Sequence, residues 1–204
     1  MGNYRNFKLV YYFVAQATAH ADREKLEKGI RFFERYMRPD KVYLEPYRSG
    51  VFADDAHVEM CRKVFEAHGV EVAGGLTTTI PTPEGAEKKQ RMFDTFCYND
   101  GQMLSRLREV CTFIGKHFNE FIIDDFFFTN CTCEACRRGR DEYNREHGIT
   151  DGSWKAYRLH LMEKVSREDV IEIARGVECD MIYFLRGSAE EAETENEEDE
   201  ADAE

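Results

Sequence analysis

No apolar run in this chain approaches the roughly 20 residues that a membrane-spanning helix needs, so the sequence predicts a chain with no membrane span. No basic stripe stands out against an acidic background, which argues against nucleic acid as a partner. The six histidines form no HExxH or comparable set, which argues against a histidine-built catalytic zinc. A glycine-rich phosphate turn is also missing. Where a dinucleotide-binding fold would place one after its first strand, the chain reads AQATAHA.

What is present is enough for one sizeable core: 204 residues, 42% hydrophobic and 13% aromatic. The formal net charge of −12 is concentrated at one end. Residues 190–204 hold ten of the 40 acidic residues and no basic one, leaving 28 basic against 30 acidic elsewhere. Such a run cannot bury enough surface to offset its ordering entropy. The expectation is a folded domain over 1–187 and a disordered acidic tail over 188–204, solvated rather than docked on a basic partner.

Strand-like and helix-like segments alternate along the first part of the chain. Residues 8–15 read as a short apolar, β-branched and aromatic strand, with a signal-peptide reading (Arg5 and Lys8 ahead, Ala19-His20-Ala21 behind) as the alternative. Residues 22–37 repeat Leu26, Ile30, Phe33 and Met37 at helical spacing, with Asp22 as N-cap and Pro39 as stop. Strands are expected at 41–47, 70–76, 120–128 and 181–185. Helices are expected at 54–68, from Asn99 or Asp100 through Ile114, and at 153–176. The stretch 137–152 reads as a polar insertion. This α/β alternation implies parallel pairing through right-handed crossovers, compatible with a (β/α) barrel or an open doubly wound sheet. A barrel needs eight strands and about five are legible, so the expectation is a partial barrel, truncated, with sheet edges exposed for self-association or a complementing chain.

The seven cysteines do not follow a secreted disulfide pattern, and the chain is expected to be cytoplasmic. Cys131, Cys133 and Cys136 form C-T-C-E-A-C directly after the fourth strand, a spacing that can set three thiolates around one tetrahedral ion. Cys97, beyond strand three on the same rim, is the natural fourth ligand, and structural zinc the expected ion. Free or oxidised thiols and an iron–sulfur cluster are the alternatives. Cys61, Cys111 and Cys179 read as ordinary buried thiols.

Carboxylates lie on the expected rim too. Asp124 and Asp125 interrupt an apolar strand, so each must be paired, hydrogen-bonded or catalytic. Alternation sends the two to opposite faces. Glu45 ends strand two, ahead of Tyr47 and Arg48, and reads either as a sugar-site acid or as half of a Glu45–Arg48 surface pair. Gln16, Tyr47, Arg48 and Thr77 are candidate hydroxyl-binding groups.

On the wording IIDDFFFTNCTCEAC, the lone Cys97 and the Ser153-Trp154 helix start, the chain resembles carbohydrate-active (β/α)₈ barrels. It is similar to the zinc-containing β-galactosidases of glycoside hydrolase family 42 and, more closely, to less characterised glycosyl hydrolases. That resemblance implies a carbohydrate substrate, zinc on Cys97, Cys131, Cys133 and Cys136, and an acidic catalytic position at Asp124 or Asp125. Two departures stand out. Family 42 carries Asn-Glu where this chain has Asp-Asp, and its second catalytic carboxylate belongs to a late strand. Little or no turnover is therefore expected of this chain alone.

Overall fold

A computed structural model describes residues 4–80, 94–124, 127–171, 173 and 180–182. Asp125, Cys179 and the acidic run 190–204 lie outside the described residues.

Five parallel strands form the main sheet: β1 (Val10–Phe13), β2 (Lys41–Leu44), β5 (Glu71–Leu76), β8 (Glu120–Ile123) and β9 (Asp180–Ile182). Their spatial order is β1-β2-β5-β8-β9, which is also their chain order, and every neighbouring pair is parallel. A doubly wound sheet would reverse direction at a switch point. This sheet does not, so its winding is that of a barrel wall, and the ambiguity left by alternation alone is resolved.

The helices form where their caps and periodicity predict. In α2 (Arg23–Phe33), Asp22 accepts from the Lys25 N–H at 2.9 Å. In α3 (Asp55–Ala67), Asp54 caps His57 N–H, and Gly69 at φ 73° turns the chain toward β5. Asp100 caps α4 (Gly101–His117) through Gln102 and Met103. Their apolar faces pack on the outer side of the sheet, where Val42, Val58, Leu107, Val110 and Ile114 are fully enclosed. Two glycines of β5 permit close approach on both sides. A Cβ at Gly74 would lie 2.6 Å from Ile114 of α4, and one at Gly75 would lie 2.7 Å from the Tyr12 hydroxyl.

Several expectations need correction. The first strand is shorter than 8–15, and a short helix α1 (Ala15–Ala19) follows it, so Gln16 lies on an exposed helical turn rather than a strand end. The second strand stops at Leu44. Its expected end folds into a hairpin of β3 (Tyr47–Arg48) and β4 (Val51–Phe52). The turn residues Ser49 (φ 48°) and Gly50 (φ 84°) are both left-handed, as a two-residue turn matching strand twist requires. A second ribbon pairs β6 (Thr79–Ile80) with β7 (Asp94–Thr95). The stretch 137–152 is not an insertion. It holds most of α5 (Glu134–Glu146), a helix rich in Arg and Glu with few apolar residues to mark a repeat. The last helix is α6 (Lys155–Val165), continued by a π-helical segment Ser166–Ile171.

Candidate functional site

Side chains alternate across the strands, so Tyr12, Lys41, Tyr43 and Glu120 share the face opposite the helices. At the carboxyl ends of the strands this inner face carries a connected polar network centred on Glu45. Its carboxylate is fully enclosed. It accepts from the Ala15 N–H at 2.9 Å, the Tyr12 hydroxyl at 3.2 Å, Arg48 Nε at 2.7 Å and the Thr77 hydroxyl. Ala15 opens α1, so Glu45 also caps a helix from a neighbouring strand end. Four donors occupy both oxygens.

Arg48 carries the network across the sheet. Its Nε faces Glu45, and its terminal nitrogen lies 3.0 Å from Asp124 Oδ2, just past β8. Burial opposes its charge, but the hydrogen bond and attraction of Glu45, with help from Tyr12 and Asp124, hold the guanidinium above its ordinary range. The Tyr12 phenol is also pushed up, first by burial and then by the Glu45 charge. The Arg48 guanidinium stands 5.8 Å from the centre of the Tyr12 ring.

The Glu45–Arg48 pair is thus present but buried, and it is not a surface pair. Thr77 is fully buried with its hydroxyl committed to Glu45. Tyr47 is 5% exposed and packs edge-on against Phe52 and Phe96, inside the core rather than on the rim. Asp124, with 41% of its side chain exposed, is the carboxylate of this network that reaches solvent.

Beyond β8 the backbone turns sharply. Phe127 adopts φ 53°, a left-handed conformation that costs a bulky residue about 1–3 kcal/mol. It is held by stacking on Tyr98 at 5.0 Å, and the Tyr98 hydroxyl donates to the Phe127 carbonyl at 3.0 Å. More bonds tie the segments after β5 and β8 together. Thr129 donates to Phe96 O at 2.8 Å, and Thr95 exchanges hydrogen bonds with Asn130.

This pairing brings Cys97 to Cys131, Cys133 and Cys136, whose sulfurs all lie within 4.8 Å of one another. Cys97 Sγ is 3.8 Å from Cys133 and 3.5 Å from Cys136. Four sulfurs bound tetrahedrally at about 2.3 Å sit about 3.8 Å apart, close to the two Cys97 distances, so the donor set could hold one ion. Cys133 opens α5, and the Cys136 N–H is the main cause holding its thiol down at about 7. Burial pushes Cys136 up to about 11 and Cys97 higher still. A metal ion held there would offset the mutual repulsion of four ionised sulfurs. Cys61, by contrast, sits alone in α3, pushed up to about 11 by burial only.

Sequence reasoning missed Tyr12, Tyr98, Asn99 and Phe127. Tyr12 shares its face with Glu45 by alternation alone. Tyr98 is flagged only by standing next to Cys97, and Asn99 only as a candidate helix start. Nothing in the sequence marks Phe127 as left-handed.

Among the described residues, no helix is long and apolar enough to cross a membrane. A family model described as "Probable glycosyl hydrolase, catalytic domain" matches residues 1–184. An uncharacterized protein of Saccharolobus solfataricus is 28% identical over 188 residues, covering 85% of this chain and 31% of that protein. Alpha-L-fucosidase isoenzyme 2 from Paenibacillus thiaminolyticus superimposes with a TM-score of 0.51 at 8% identity, over 89% of this chain and 33% of that one. A structure of the pneumococcal virulence factor StrH, from work on N-glycan recognition and hydrolysis, gives 0.51 at 8%, over 89% and 54%. At such identities the two structures establish a shared fold alone. The chain spans about a third of the length of the curated relative.

Proposed function

Because the chain belongs to the family of probable glycosyl hydrolase catalytic domains, we propose that it forms the carbohydrate-binding front of a hydrolase barrel, with the catalytic acid position at Asp124 or Asp125. One observation carries this reading. Asp124 stands at the carboxyl end of β8, the face where barrel active sites are built, joined to Arg48 and open to solvent. Glycoside hydrolysis by the usual route needs two carboxyl groups flanking the scissile bond. Glu45 does not supply the second, since four donors already occupy it. Its role in this reading is to organise Arg48 and the start of α1. The chain alone therefore binds sugar through the rim and turns it over slowly or not at all.

The ion of the sulfur cluster is zinc in this reading, because zinc takes closed tetrahedral thiolate sites and the sulfur spacing matches one. It staples the segments after β5 and β8 and so steadies the backbone that presents Asp124. Reduced thiols fit a cytoplasmic location. β1 and β9 are the outermost strands of the described sheet, and either a second copy or a complementing chain fits there.

The test is a screen of aryl glycosides with the 204-residue chain beside Asp124→Asn, Asp125→Asn and Glu45→Gln. Expected are weak sugar binding and negligible turnover. Robust turnover abolished by Glu45→Gln and by either aspartate change would place a complete active site within this chain and overturn the proposal. A second reading, a non-catalytic sugar-binding module, is favoured by the full occupation of Glu45. It predicts sugar binding unchanged by Asp124→Asn.

A further inference from the structure

Cys136 is 1% exposed, and its sulfur receives a hydrogen bond from outside the cluster. Asn99 Nδ2 lies 3.2 Å from Cys136 Sγ, and the same nitrogen lies 2.9 Å from the Tyr157 hydroxyl oxygen. A side-chain amide nitrogen has two protons to give, so one group serves both acceptors. A thiolate has no proton to offer in return, which determines the end of the amide that faces it. Asn99 is itself exposed, but both of its acceptors are buried.

The amide joins three elements at one point. Asn99 follows Cys97 and precedes α4, Cys136 lies in the first turn of α5, and Tyr157 lies in α6. Tyr157 is 4% exposed, and its hydroxyl sits over Gly139 of α5, where a Cβ would approach to 2.2 Å. The hydroxyl occupies space that any other residue at 139 would fill. α5 and α6 are thus seated on one another around the atom to which Asn99 donates.

We propose that Asn99 is a positioning residue of the sulfur cluster, orienting the Cys136 thiolate with one N–H and linking ion occupancy to the seating of α6 with the other. The proposal rests on the reading that the cluster holds a metal ion. An N–H bond to a metal-bound sulfur offsets part of its charge and restricts its direction. Outer partners of this kind typically contribute about 10–100-fold in metal affinity.

Co²⁺ is the probe, titrated into the reduced 204-residue chain and its variants. Asn99→Ala and Asn99→Leu, the second with the same branched skeleton, should each bind Co²⁺ about tenfold or more weakly. Their sulfur-to-cobalt charge-transfer band should move to longer wavelength, because a sulfur without its N–H bond gives up an electron more easily. A purely structural role for Asn99 would not move that band. Tyr157→Phe should leave the band in place and abolish the slowing of α6 amide exchange that metal produces in the native chain. Unchanged affinity and an unmoved band in both Asn99 variants, with the native chain binding Co²⁺, would overturn the role of Asn99. Metal-dependent α6 exchange persisting in Tyr157→Phe would overturn the link to α6. A native chain that binds no Co²⁺ would overturn the metal reading and this inference with it.

Discussion

At the amino ends of β2, β5 and β8, Lys41 stands between Glu71 and Glu120, with the Tyr43 hydroxyl 3.5 Å from Glu120. At the carboxyl ends of the same strands, Arg48 stands between Glu45 and Asp124. Both clusters set one cation between two carboxylates on the inner face. They differ in which member is buried, the cation Lys41 at the lower end and the carboxylate Glu45 at the upper. Glu71 is 53% exposed and Glu120 28%, whereas Glu45 has no exposure at all. They differ also in geometry, since a flexible ammonium holds the lower cluster and a planar guanidinium spans the upper one. The lower cluster can lose a member and be rehydrated. The upper one cannot, because water does not reach Glu45. In barrels generally the amino ends of the strands serve stability and the carboxyl ends carry the active site.

The sharpest way to break this comparison is to remove both cations in turn. Arg48→Ala leaves Glu45 charged and enclosed, and should cost about 3–5 kcal/mol in urea unfolding. A cost below about 1 kcal/mol would mean that Glu45 relaxes into water, and the distinction between the ends would fall.

Metal removal comes next. Purified reduced protein should hold about one zinc per chain. Cys97→Ser should weaken zinc binding along with each loop cysteine, and Cys61→Ser should not. Full occupancy in Cys97→Ser would remove it from the ligand set. Chelation should loosen α5 and the turn at Phe127 while leaving β2 and β5 protected in hydrogen exchange.

Lys41→Met should cost only about 1 kcal/mol, because its carboxylate partners stay in contact with solvent. A loss matching that of Arg48→Ala would show the two ends to be energetically alike.

Alkaline pH offers a finer probe of the upper cluster. The Tyr12 phenol is raised above its ordinary 10.0 by burial and by Glu45. A raised folded value means that its stabilisation is complete below pH 10 and is lost as pH climbs beyond it. Tyrosinate absorbance of the native chain minus Tyr12→Phe should therefore show no ionisation near pH 10, only at higher pH together with unfolding. A Tyr12 that titrates at its ordinary value would show that the network is open to water. The smallest effect is expected from deleting residues 190–204, which have no large apolar side chain to dock. The melting temperature should hardly move, and a large drop would show that this segment packs on the fold.

Much of the scaffold was legible without coordinates, and the reasons are local. Asp22, Asp54 and Asp100 announce helix starts because a short side-chain oxygen can reach back to the first free N–H groups. The cysteine spacing after β8 announces a sulfur cluster because residues two and three apart in one loop stay close together. α5 escaped because its residues favour a helix without an apolar stripe to advertise it, and 120–128 was read as one strand because nothing in EFIIDDFFF signals the turn at Phe127.

The sequence by itself determined the βα alternation, the helix starts, the local triplet Cys131, Cys133 and Cys136 and the presence of carboxylates at strand ends, all of which depend on contacts within a few residues. Only the tertiary structure decided the winding of the sheet, because strand order depends on which crossovers pack beside each other. It also decided the fates of the rim residues. Glu45 and Thr77 are consumed by each other across 32 positions of sequence, and Tyr47 is drawn into an aromatic cluster. Arg48 spans 76 positions to reach Asp124. Burial and pairing at such separations are properties of the closed fold, and no local pattern encodes them.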